Sequence, residues 1–146
     1  MKILILGESG EHPWFDGQSS RRLWRWFDVN SHAELVKLAT LMNVYTKKGS
    51  HDMVEKHYAR LRDAIVEHDV VFLVGKVAQR QVFRDCIKLR AVLWHQDKYV
   101  GLPHPSGLNR QLNNMRDKVI REFIISMMQQ YLNETQGIIN RVLKRK

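Results

Sequence analysis

At 146 residues, with 44% hydrophobic and 27% charged side chains, the chain has the size and composition of one globular domain whose core needs no staples. Its lone cysteine, Cys86, excludes an internal disulfide, an all-cysteine zinc site and a four-cysteine iron–sulfur cluster, and makes a reducing compartment the default. Twenty-four Lys and Arg against fifteen Asp and Glu give a net charge of +9, which favours a polyanionic partner, nucleic acid first.

No apolar run nears the roughly 20 residues that cross a bilayer, and the opening Met1 to Leu6 is too short for a signal-peptide core. The expectation is a soluble protein with no membrane partner. It would be cytoplasmic or nucleoid-associated, or in the host cytoplasm if the genome is viral.

In chain order, Lys2 to Leu6 closed by Gly7 reads as a buried parallel strand. Ser19 or Ser20 is placed to cap a helix bearing Leu23, Trp24 and Phe27. Ser31 with Glu34 forms a capping box before Leu35, Val36, Leu38 and Ala39. Leu41 to Tyr45 reads as a strand, and Met53, Val54, His57, Leu61, Ala64 and Ile65 recur at helical spacing. Asp69 to Val74 closed by Gly75 repeats the opening pattern, followed by a helix at Ala78 to Asp85 and a strand at Ala91 to Trp94. From about residue 108 the chain reads as one amphipathic helical region, with a break expected at Gly137 and an apolar seam suited to a homodimer. Strands alternating with helices give an α/β fold: a three-layer α/β/α sandwich around a mostly parallel four-stranded sheet, as one domain over 1–146.

Ligand sites in such sheets lie beyond the carboxyl ends of the strands, and two segments there carry chemistry. Gly7 to Ser20 is glycine-rich, yet it lacks the Gly-Lys-Ser/Thr of a phosphate loop and the spacing of a dinucleotide fingerprint. A strand-end carboxylate, Glu8, near the aromatic pair Trp14 and Phe15 suits a base pocket instead, the rings stacking while the carboxylate acts on water. In Pro103-His104-Pro105-Ser106-Gly107-Leu108-Asn109-Arg110, a histidine held by prolines suits donation to a developing oxyanion, and Ser106 with nearby amides suits a phosphate. The seven histidines show no paired metal-ligand spacing and Cys86 is not among such partners, so neither a metal nor a cofactor is expected. Arg21, Arg22 and Arg25 interleave with Trp24 and Trp26, a composition equally suited to a DNA-facing surface and to a solvated helix face.

These segments resemble the uracil-DNA glycosylase superfamily. His104-Pro105-Ser106-Gly107-Leu108-Asn109-Arg110 is similar to the Asn-Pro-Ser-Gly-Leu-Ser-Arg loop of the mismatch-specific thymine/uracil branch, with the histidine of the other branches. Gly7-Glu8-Ser9-Gly10 resembles the Gly-led first motif, Phe15-Asp16-Gly17 the Phe-x-Gly segment, Asn43 the pyrimidine-reading asparagine, and Leu73 to Ala78 the Leu-Gly-x-x-Ala element. The first motif departs from the family by lacking its proline. Glu8 matches only the acidic position of the iron–sulfur branch, whose cysteines are absent.

The resemblance implies a DNA partner and a set of roles. Phe15 would stack on a flipped base, Asn43 would read its edge, and Ser9 would join them in the base pocket. His104 and Glu8 would be catalytic, His104 on the base oxyanion and Glu8 on water. Ser106, Gly107, Asn109, Arg110 and Lys76 would hold DNA, with Leu108 as the wedge. The implied activity is excision of a uracil-like or modified pyrimidine. The altered first motif also fits a protein that recognises a base without excising it, or one acting in base modification.

Overall fold

The computed structural model describes residues 1–9, 14, 17–45, 55–82, 93–106 and 116–144. Its five-stranded sheet has the order β2-β1-β3-β5-β4, with β1 at Ile3–Ser9, β2 at Thr40–Tyr45, β3 at Val70–Val74, β4 at Trp94–Gln96 and β5 at Tyr99–Leu102. Parallel pairing runs from β2 through β1 and β3 to β5, in the registers Leu4↔Thr40, Leu4↔Val71 and Phe72↔Val100. β4 is antiparallel to β5.

Helices α1 (Gln18–Trp26), α2 (His32–Leu38) and α5 (Asp117–Lys144) cover one face, packing Leu23, Trp26, Leu35, Ile120 and Ile124 on Ile3, Ile5, Phe72 and Val74. Helices α3 (Glu55–Glu67) and α4 (Lys76–Val82) cover the other, packing Leu61, Ala64 and Ala78 on Leu4, Leu6, Val71 and Leu73. This is the expected three-layer α/β/α sandwich. All five β3 residues are buried because both faces are roofed. Each large aliphatic side chain so buried contributes roughly 1.5–3 kcal/mol.

The strand count is a correction. Of the strand expected at Ala91 to Trp94, Ala91 and Val92 lie outside the described residues and Trp94 opens the short antiparallel edge strand β4, while the fourth parallel strand, Tyr99–Leu102, was not anticipated. Asp97 at φ 53° makes the turn between them, a left-handed conformation that Asp adopts more readily than most residues. Gly101, opposite Trp94, leaves room for the indole to lie across β5, where any Cβ would overlap the ring.

The helix signals are similarly sorted by packing. Ser31 does cap α2, its Oγ accepting the Glu34 N–H at 3.2 Å, while the Glu34 carboxylate accepts the N–H of Asn30 at 2.7 Å. Neither Ser19 nor Ser20 caps α1: its N-cap is Gly17 at φ 96°, and Ser20 is buried inside the helix. Trp26, rather than Trp24, is the fully buried tryptophan of α1. α5 runs unbroken through Gly137, because no packing or proline interrupts a chain of otherwise good helix formers. The helical start expected near 108 lies outside the described residues.

α5 is roughly 42 Å long, and the sheet does not extend under all of it. Its first half buries Ile120 and Ile124, whereas Leu132, Ile138, Ile139, Val142 and Leu143 face solvent at 45–61% exposure. Its N-terminus is tied to α1 through Asp117. That carboxylate accepts from Arg22 Nε at 2.8 Å and from Trp26 Nε1 at 2.9 Å.

Candidate active site

β1 is central, with β2 on one side and β3 on the other, so the connections diverge at their carboxyl ends. That divergence is the topological switch point at which open α/β sheets bind ligands. Gly7 and Glu8 lie in the last three residues of β1, Asn43 lies in β2 opposite Gly7, Gly75 follows β3, and Pro103 to Ser106 follow β5. Residues far apart in sequence thus converge on one edge of the sheet.

Gly7 is required by close approach. A Cβ there would stand 2.5 Å from Asn43 Oδ1 and 2.9 Å from Trp14 Cζ2, so only glycine lets the amide and the indole close over the strand. Asn43 is buried to 7% exposure, and its main-chain carbonyl accepts from His57 Nε2 at 2.7 Å. Trp14 is buried to 9%, and its ring centroid lies 5.7 Å from that of His104, tilted by 49°. Its backbone is held at φ 61°, and its carbonyl accepts from Trp24 Nε1 at 3.2 Å and His32 Nδ1 at 3.4 Å. Left-handed backbone is unusual for so bulky a residue, and the surrounding contacts sustain it.

His104 is half-buried. The main-chain N–H of Ser106 donates to its Nδ1 at 3.1 Å, which fixes the neutral ring as the tautomer with hydrogen on Nε2. Burial lowers its pKa below the ordinary histidine value of 6.5, and the negative charge of Glu8 opposes that shift without overcoming it. The ring is therefore neutral at pH 7, with Nε2 as its donor.

The loop carrying His104 is set by its neighbours. Gly75, at φ 88°, would place a Cβ 3.3 Å from the histidine, and its N–H donates to Leu102 O at 2.9 Å. Buried Gln79 donates through Nε2 to Leu102 O at 2.9 Å and Leu73 O at 3.3 Å, and accepts from Trp94 Nε1 at 3.2 Å. One side chain thereby ties β3, β4 and β5 together beneath the His104 loop.

Of the residues singled out from sequence, Glu8, Asn43 and His104 do come together. Ser106 orients the histidine, and Lys76 is exposed at the start of α4 directly after Gly75. Ser9 ends β1 opposite Tyr45, its side chain being outside the description, as are Phe15, Gly107, Leu108, Asn109 and Arg110. Of the aromatic pair singled out from sequence, Trp14 is in contact with the site, and Phe15, to which the resemblance assigns stacking, lies outside the described residues. Gln79 carried no signal, since a glutamine in a short helix ordinarily faces water.

Beside this edge, Gln18, Arg21, Arg22, Arg25, Pro105 and Asp117 line an open cleft of roughly 520 Å³. Three guanidinium groups meet one carboxylate there. Asp117 pairs with Arg22 and, at 3.5 Å, with Arg25. The excess positive charge sits against Pro105, next to His104. Among the described residues no group of three or more His, Cys, Asp or Glu side chains gathers into a metal-ligand cluster. No described helix is long and apolar enough to cross a membrane.

No individual curated protein matches the chain. The family model described as Uracil DNA glycosylase superfamily matches residues 1–127, which include every described strand and the described residues of this site. With an α/β sandwich whose strand ends gather Glu8, Asn43 and His104, the chain belongs to the uracil-DNA glycosylase superfamily, whose members act on DNA and typically hydrolyse N-glycosidic bonds.

Proposed function

We propose that this protein is a DNA glycosylase that turns a uracil-like or modified pyrimidine out of DNA and cleaves its N-glycosidic bond. The observation that carries this reading is the neutral, tautomer-fixed His104 beside Trp14, whose indole shares the space over Gly7 with Asn43, with the Glu8 carboxylate near enough to act on its charge. As the bond from C1′ to the base nitrogen breaks, its electron pair passes to the base and collects on O2. A neutral Nε2–H stabilises that oxyanion without first surrendering a full charge. Water then adds at C1′ and its proton passes to Glu8, while the departing base anion takes up a proton from solvent, leaving an abasic site and a free base. Asn43 reads the base edge, and unstacking of the target is offset by contacts in the pocket. The cationic cleft of Arg21, Arg22 and Arg25 supplies the phosphate contacts that DNA affinity needs.

A second reading, base recognition without excision, is favoured by the first motif, in which Ser9-Gly10 replaces the expected proline after Glu8. An alkali-treated strand-cleavage assay separates the two. Oligonucleotides containing uracil, hydroxymethyluracil or mispaired thymine are incubated with the protein. Cleavage at the altered base, lost in His104→Ala, supports excision; DNA retention on a gel with no cleavage supports recognition alone.

A further inference from the structure

The protein has four tryptophans, and three of them have a partner for the indole N–H. Trp24 donates to Trp14 O, Trp26 to Asp117, and Trp94 to Gln79. Trp14 is the exception. Its Nε1 is buried, in a residue only 9% exposed, and has no hydrogen-bond partner among the described residues. Buried donors are almost always satisfied, so an orphan at a ligand site calls for an explanation.

The placement of this donor is specific. The indole edge bearing Nε1, formed by Cε2 and Cζ2, lies over Gly7 at 3.2 and 2.9 Å from a Cβ position there. Asn43 Oδ1 occupies the same spot from the other side. The rest of the ring meets His104. Two side-chain donors grip the Trp14 carbonyl from α1 and α2, so the indole is positioned by the fold rather than by loop chance.

We infer that the Trp14 indole N–H is a base-reading donor, and that it selects a pyrimidine presenting a carbonyl oxygen at that edge over one presenting an amino group. This rests on the proposed base pocket. With Trp14 Nε1 and His104 Nε2 both donating, the pocket offers two donors and so matches a dioxopyrimidine. An amino substituent would set N–H against N–H and leave the orphan unpaired, which is the costly outcome in a buried site.

The test is a titration of protein carrying ¹⁵N-labelled indoles, followed by two-dimensional NMR, with free uracil and free cytosine as probes. Trp14→Phe keeps an aromatic ring, removes the N–H together with part of the bicycle, and assigns the cross-peak. The His104 ring signals report pocket occupancy independently. The expected result is a downfield move of the Trp14 N–H with uracil, binding of cytosine at least about tenfold weaker, and loss of that preference in Trp14→Phe. Uracil that moves the His104 signals but leaves the Trp14 N–H in place overturns the inference and leaves the pocket standing. Uracil that moves neither overturns the pocket and the inference with it. Should Trp14→Phe fail to fold, the wild-type titration alone decides between these outcomes.

Discussion

The main-chain N–H of Ser106 donates to His104 Nδ1 at 3.1 Å, and this bond decides which ring nitrogen carries the hydrogen. Protonation of the ring would place a second hydrogen on Nδ1, facing the Ser106 N–H, so acid both charges the histidine and breaks its tether.

The pH profile follows. Burial holds the His104 pKa below 6.5 and Glu8 partly restores it. The acid limb of activity should therefore lie below 6.5, and Glu8→Gln should move the His104 titration lower still, because the restoring charge is gone. NMR titration of the ring measures both; a His104 midpoint at or above 6.5 would sink the assignment. The same sign holds for stability. A histidine whose folded pKa is depressed costs stability as pH falls from the unfolded value towards the folded one.

Removing the donor should be expensive. His104→Ala is expected to lower the cleavage rate by roughly 10²–10³, the usual cost of losing one oxyanion donor. DNA affinity should be unchanged within a factor of a few. Single-turnover kinetics with anisotropy binding separate these, and an equal loss in both would mean that His104 only holds the loop.

Gly7→Ala should close the pocket. The new methyl would collide with Asn43 Oδ1 at 2.5 Å and Trp14 at 2.9 Å, both on well-packed side chains. A destabilisation of about 1–3 kcal/mol with loss of base binding is expected, read by thermal melting and by uracil titration. An unchanged melt would show that the two side chains are not wedged over β1.

The arginine cleft makes a salt-dependent prediction. Arg21→Ala should weaken DNA binding and reduce the slope of log affinity against log salt by roughly 0.9 if it neutralises one phosphate. Lys56→Ala, exposed on α3 across the sheet, is the control that should leave the slope alone. Equal slopes for wild type and Arg21→Ala would assign the cleft to structure rather than to DNA.

Asp117 should behave as a structural anion. Burial alone would raise its pKa, but the Trp26 and Arg22 hydrogen bonds and the arginine charges outweigh it, so the net shift is downward from 3.8. Its contribution is present above 3.8 and is lost as pH falls through the lower folded value. Asp117→Ala, which leaves the Trp26 N–H without its acceptor, should cost about 1–3 kcal/mol at neutral pH. A chemical denaturation midpoint unmoved by the substitution would show that α1 and α5 hold together without it.

The apolar runs ending in Gly7 and Gly75, the Ser31 cap and the helical spacing through Leu61 and Ala64 were legible in the sequence, because each is a local pattern with a local cause. That Glu8 and Asn43 lie on strands and His104 follows one was legible too, from the apolar runs and motifs around them. The strand at Tyr99–Leu102 was not, since its partner β3 lies some twenty-five residues away and its own four residues carry no periodicity. The hydrogen on His104 Nε2, the closure of Trp14 over Gly7 and the Gln79 tie between strands depend on atoms brought together across the sheet. The sequence determined which chemical groups stand at the strand ends. Only the tertiary structure decided their protonation and contacts, because burial and hydrogen-bond partners exist only once the strands have paired.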